Sequence, residues 1–132
     1  MMSFTSDMDD AVKKIIAAHD KIARAATIDF FSGTVKDTPV DTGRARGNWV
    51  TTIDTPAQGE IDREDKSGSS VISEIVAKTP EGAGQETFMS NSLPYIEDLE
   101  YGSSKQAPNG MVRRNLARVQ RIVDKAIAKF RV

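Results

Sequence analysis

Two stretches of the chain carry apolar residues at helical spacing, and they bracket a middle that alternates in shorter steps. Met8, Val12, Ile15, His19, Ile22, Ala26 and Phe30 fall on one stripe, widened toward its end by Ile16, Ala23, Phe31 and Val35. The spacing predicts a helix from residue 7 to about residue 36. Ser6 or Asp7 is the expected cap, and Asp7, Asp9 and Asp10 place negative charge where the helix dipole favours it. Gly33 weakens the last turns, and Pro39 stops the helix by disfavouring helical geometry at Thr38. The second stripe is Val112, Leu116, Val119, Val123, Ala126 and Phe130, flanked by Ile122 and Ile127. It predicts a helix over Gly110 to Val132, with Arg113, Arg114, Arg118, Arg121, Lys125 and Lys129 covering the remaining surface.

Between them, "NWVTTIDT" (residues 48–55) alternates as a strand, with Trp49, Thr51 and Ile53 on one face. "VISEIVAK" (residues 71–78) alternates too and reads as a second strand, and a short third is expected around Thr87 to Ser90. The loops between them, residues 56–70 and 79–85, are rich in Gly, Ser and charge. They are too short for parallel crossovers, so the sheet is antiparallel. "LPYIEDLEYG" (residues 93–102) suggests a short helix with Pro94 at its first position and Gly102 past its end. The sum is a single α+β domain over residues 1–132: a long N-terminal helix, a small antiparallel sheet with long loops, a short helix, and a long C-terminal helix packed on the sheet.

Composition narrows the chemistry. Only 39% of the 132 residues are hydrophobic and 6% aromatic, so neighbouring subunits are expected to bury part of the apolar surface. There is no cysteine, which removes disulfides and thiolate chemistry, and the one histidine, His19, reads as a helix-packing residue. The first residues lack a signal-peptide pattern and no apolar run is long enough to cross a bilayer. The chain therefore reads as soluble, made in a cytoplasm, with no membrane partner. Charge is segregated. Residues 37–104 hold 13 Asp or Glu against 5 Lys or Arg, whereas residues 105–132 hold eight basic residues and one acidic. Such halves attract each other within a chain or between chains.

The sharpest chemical candidate is Asp41-Thr42-Gly43, the triplet with which aspartic proteases present a carboxylate. Those enzymes need two carboxylates sharing a proton, so this chain would have to dimerise. Their triplet also lies in an all-β setting, whereas here it follows a long helix and precedes Arg44, which opposes proton sharing. The turn reading fits better: Pro39 fixes φ, Asp41 and Thr42 bond nearby N–H groups, and Gly43 frees the backbone. Asp41 would cap a short helical turn from Arg44 to Asn48 that delivers Trp49 to the sheet. "EGAG" lacks the lysine of a phosphate loop, and Glu97, Asp98 and Glu100 lack a metal-binding pattern, so no cofactor or metal is expected. The basic last helix admits a nucleic-acid-binding accessory protein as an alternative, read through Arg113, Arg114 and Arg118.

Two segments together resemble a known family. "TPVDTGRARGNW" after a long helix, and "NSLPYIEDLEYGSSKQAPNGMVRRNL" further on, resemble the small neck or tail-completion (head-tail connector) proteins of long-tailed bacteriophages. The matching positions are Pro39, Val40, Asp41, Thr42, Gly43, Arg44, Arg46 and Asn48, then Asn91, Tyr95, Glu97, Glu100, Gly102, Ser103 and Pro108. The chain departs from the pattern at Ala45, where a larger apolar residue is common, and at "APNGMVRRNL", which lacks the usual aromatic residue. The resemblance implies a non-enzymatic virion protein of the head-tail neck, assembled in the host cytoplasm. It forms a homo-oligomeric ring, commonly a hexamer, that joins the head-closure complex to tail-tube or tail-terminator proteins. DNA would pass through the channel without specific binding, with Glu60, Asp62, Glu64 and Asp65 as candidate channel residues. A tail terminator or minor tail component is the neighbouring alternative. On this reading Arg44, Arg46, Tyr95, Glu97, Glu100, Tyr101, Arg113 and Arg114 are the candidate subunit-interface residues.

Overall fold

The computed structural model describes residues 4–82 and 84–131. Its longest element is α1 (Phe4–Asp37), 34 residues or about 50 Å of helix. It begins three residues earlier than expected, so Ser6 and Asp7 lie inside its first turn rather than ahead of it. A single turn, α2 (Arg44–Gly47), leads into β1 (Trp49–Ile53), which pairs antiparallel with β2 (Thr87–Asn91) in the register Trp49 with Asn91 and Ile53 with Thr87. Helices α3 (Ser69–Lys78), α4 (Ile96–Glu100), α5 (Val112–Ala117) and α6 (Val119–Phe130) complete the order. The class is the mixed α+β one read from the sequence, with a two-stranded sheet and the C-terminal helix packed on the body, most broadly along α1.

The core joins both layers. Val35, Trp49, Val71, Ile75, Ala107 and Met111 are buried together, backed by Ile28, Phe31, Met89 and Leu99. Trp49 is fixed at both ends: its ring is buried and its Nε1 donates to Thr38 Oγ1 at 2.9 Å, just past the end of α1.

Three expectations are corrected. "VISEIVAK" is helix α3, not a strand. Val71 and Ile75, one helical turn apart, are both fully buried, and the Asp65 carboxylate accepts the N–H groups of Gly68 and Val71 at 3.1 Å each to start the helix. The last helix is broken at Arg118, whose ψ of 1° leaves helical geometry. There Asn115 turns inward, donating to Met111 C=O at 2.8 Å and to Asp37 Oδ2 at 2.9 Å. Finally, the first half of the α1 stripe is not core. Met8, Val12 and Ile15 are exposed, as is every residue from Met8 to Ala17 on all sides of the helix, because the described residues that pack on α1 lie along its second half; His19 is exposed too.

Candidate functional site

The Asp-Thr-Gly triplet forms the turn between α1 and α2. Thr42, not Asp41, supplies its local bond, accepting the Arg44 N–H at 3.2 Å; Asp41 is exposed and takes no part in starting α2. Gly43 sits at φ 91°, and its C=O accepts both the Gly47 N–H and the Asp65 N–H at 2.9 Å. A Cβ on Gly43 would stand 2.6 Å from the Lys66 nitrogen, and one on Gly47 would collide with Arg63 C=O. Both glycines are needed because the acidic loop of residues 60–66 is laid across α2.

That loop is held from several sides. The Arg63 guanidinium donates to Gly47 C=O at 2.6 Å, to Trp49 C=O at 2.8 Å and to Glu74 Oε2 at 3.0 Å. Asn48 Oδ1 accepts the Ile61 N–H at 2.9 Å. Arg44 reaches Glu60 at 2.8 Å and Asp62 at 3.7 Å, and the Glu60 hydrogen bond leads the effects that raise its pKa. Burial pushes the Glu74 carboxyl up, but the bonds from Arg63 and from the Thr51 N–H outweigh it and leave the group below its ordinary value.

The second segment closes over the same turn. Gln106 pairs with Val40 in both directions: its Oε1 accepts the Val40 N–H at 2.9 Å and its Nε2 donates to Val40 C=O at 3.1 Å. Asn91 Nδ2 donates to Ala45 C=O at 2.9 Å. Between the segments lies a groove of about 430 Å³ with Val40, Ala45 and Leu99 as apolar walls. Asp41, Arg44 and Tyr95 line it as well, and Asp41 is the one carboxylate among its described lining residues.

Past the groove, Glu100 ends α4 and caps α5. Its carboxylate accepts the N–H groups of Met111 (2.7 Å), Val112 (3.0 Å) and Arg113 (2.8 Å). Burial raises its pKa, but those three bonds and the Arg113 charge prevail and hold it below the usual carboxylate value. Arg113 approaches Glu100 at 3.4 Å and lies 5.0 Å over the Tyr101 ring. Arg114 and Arg118 both face Asp37, at 3.8 and 3.5 Å.

The structure thus divides the residues singled out by sequence. Pro39, Asp41, Thr42, Gly43, Arg44 and Tyr95 meet at one groove. Arg46 is turned inward: it donates to Thr38 C=O (2.9 Å), Lys66 C=O (2.7 Å) and Lys36 C=O (2.7 Å), tying the end of α1 to the acidic loop. Glu100 is engaged as a helix cap. Tyr95, Glu97 and Tyr101 remain exposed, with Arg113 and Arg114 about half exposed beside their carboxylates. Arg63, Glu74 and Gln106 were not singled out, and nothing local marks them, since their partners lie 11 to 66 residues away.

Among the described residues no three His, Cys, Asp or Glu side chains gather as a metal-binding group, and no helix is long and apolar enough to cross a membrane. Comparison of the chain with family models, with curated proteins and with solved structures finds no match.

Proposed function

We propose that this chain is a structural protein of the head-tail junction of a long-tailed bacteriophage, acting without catalysis as a ring between the head-closure complex and the tail. The observation that carries the reading is the meeting of the two resembling segments at one groove, closed by the reciprocal Val40–Gln106 pairing. Two unrelated chance matches would have no reason to form one structural unit. The exposed Tyr95, Glu97 and Tyr101 beside that groove offer a surface to a neighbouring subunit, and the segregated charge suits a head-to-tail contact that closes by rotation.

The channel assignment narrows on this reading. Asp65 caps α3 and Arg44 lies against both Glu60 and, more loosely, the exposed Asp62, which leaves Glu64 as the acidic side chain of this loop best placed to face passing DNA. The nucleic-acid-binding alternative draws less support, because Arg113, Arg114 and Arg118 each have a carboxylate within 4 Å. Electron microscopy of the purified protein and of virions tests the proposal: it expects a ring at the base of the head. A persistent monomer absent from virions would overturn it.

A further inference from the structure

Helices α1 and α6 pack side by side and leave a groove of about 390 Å³ between them. Its floor is apolar, formed by Ala25 and Ile28 of α1 and by Ala126 and Phe130 of α6; Ala126 is buried and the others are half-buried. Its walls are cationic. Lys21 comes from α1, and Lys125 and Lys129, one turn apart, come from α6. All three are exposed, and among the described residues none has a carboxylate within 4.0 Å. Arg24 adds a fourth charge, held by the carbonyl groups of Val76 at 2.8 Å and Thr79 at 3.1 Å. Asp29 and Glu81 line the groove as well, so four cations face two carboxylates and the balance is positive. An apolar floor between lysines fits an aromatic ring flanked by acids.

One surface of the same chain has that chemistry. Tyr101, at the end of α4, is 74% exposed, and Glu97 and Asp98 are exposed beside it. At about 100° per residue, Tyr101 falls about 40° from Glu97 and about 60° from Asp98, on opposite sides, so the ring projects between the two carboxylates. Among the described residues neither carboxylate has a cation within 4.0 Å. Arg113 lies 5.0 Å over the Tyr101 ring, and its charge is answered by Glu100. We propose that the groove receives α4 of a second copy, with the Tyr101 ring on the apolar floor and Glu97 and Asp98 against the lysines of the walls. Complementary charge selects this occupant. The two surfaces lie on different parts of the chain: the groove is on residues 21–29 of α1 and the end of α6, whereas α4 lies beyond the end of α1, against residues 39–45. Each copy therefore offers a groove to one neighbour and α4 to another, a head-to-tail series. Closure of that series into a ring rests on the proposed function; the contact itself does not.

The test is sedimentation and light scattering of the full chain over a range of protein concentrations. The wild type should associate beyond the dimer, and less so as salt rises. K125E/K129E reverses one wall of the groove and E97K/D98K reverses its occupant. Each should weaken association at least tenfold with the circular dichroism unchanged. The chain carrying all four substitutions, K125E/K129E/E97K/D98K, should regain association, a recovery that a merely damaged fold cannot show. A wild type that stays a monomer or stops at a dimer, association indifferent to K125E/K129E, or no recovery in the fourfold variant would each overturn the proposal. Duplex DNA is the competing anion: DNA binding abolished by K125E/K129E with association unchanged would assign the groove to phosphate instead. Rings at the base of the head that persist in K125E/K129E would overturn this contact and leave the ring reading standing. Chains that associate through the groove yet are absent from virions would do the reverse.

Discussion

Arg63 and Glu74 meet at 3.0 Å along the outer edge of β1, and between them they occupy the place of a third strand. Arg63 takes the outward C=O of Trp49 and Glu74 the outward N–H of Thr51, the groups that a neighbouring strand would otherwise pair. A two-stranded sheet is marginal alone, and an open edge invites association. Here an ion pair carried by a loop and by α3 closes that edge.

Removing the pair should therefore weaken the fold more than an exposed ion pair would. Both side chains are about a quarter exposed or less. Arg63→Ala leaves Gly47 C=O, Trp49 C=O and the Glu74 carboxylate short of a donor, which predicts a loss of about 2 to 3 kcal/mol. Urea unfolding measures it. A loss below about 0.5 kcal/mol, the range of ordinary surface pairs, would mean the edge does not depend on Arg63.

Glu74 and Glu100 also set how the protein answers acid. Both carboxyls lie below their unfolded value of 4.5 despite burial, Glu74 through Arg63 and the Thr51 N–H, Glu100 through three backbone N–H groups. A depressed folded pKa adds stability that is present above the unfolded value and lost as pH falls through the folded one. Unfolding midpoints should hold from neutral pH down to about 4.5 and then decline. Glu74→Gln and Glu100→Gln should each lower the plateau and flatten the decline, and a decline equally steep in both variants would assign acid sensitivity elsewhere.

How far this was legible in the sequence depends on how local each signal is. Helix α1 announced itself through its period, and β1 through the alternation around Trp49. Period does not say which face is buried: the stripe through Met8, Val12 and Ile15 resembled a core face, whereas Ile28, Phe31 and Val35 form the one that packs. "VISEIVAK" satisfied both periods, with Val71 and Ile75, four residues apart, on the same face of a strand and one turn apart in a helix. Its helix start, the Asp65 carboxylate, lies three residues before the capping glycine, where a standard cap is not sought. Arg63, Glu74 and Gln106 were invisible because each acts on backbone distant in sequence.

The Asp-Thr-Gly turn should depend on its glycine and not on its aspartate. Gly43→Ala meets a φ of 91° and a close backbone neighbour, and should destabilise by about 1 to 3 kcal/mol. Asp41→Asn should leave stability within about 0.5 kcal/mol of wild type, since the side chain is exposed, while Thr42→Ala should cost about 1 kcal/mol through the lost Arg44 bond. Thermal unfolding of the three variants gives the order. An Asp41 variant as damaged as the Gly43 one would show that the carboxylate holds the turn.

On the proposed ring reading, Arg46 and Tyr101 separate folding from assembly. Arg46 donates to three carbonyl groups from two segments, a fork that lysine cannot reproduce with one ammonium. Arg46→Lys should lose about 1 to 2 kcal/mol in urea unfolding at low protein concentration, where subunits are apart. Tyr101 is 74% exposed, so Tyr101→Ala together with Glu97→Lys should leave that unfolding curve unchanged and instead reduce the yield of rings counted in negative-stain images. The reverse pattern, with Arg46→Lys folding normally but failing to assemble, would place Arg46 at the subunit contact after all.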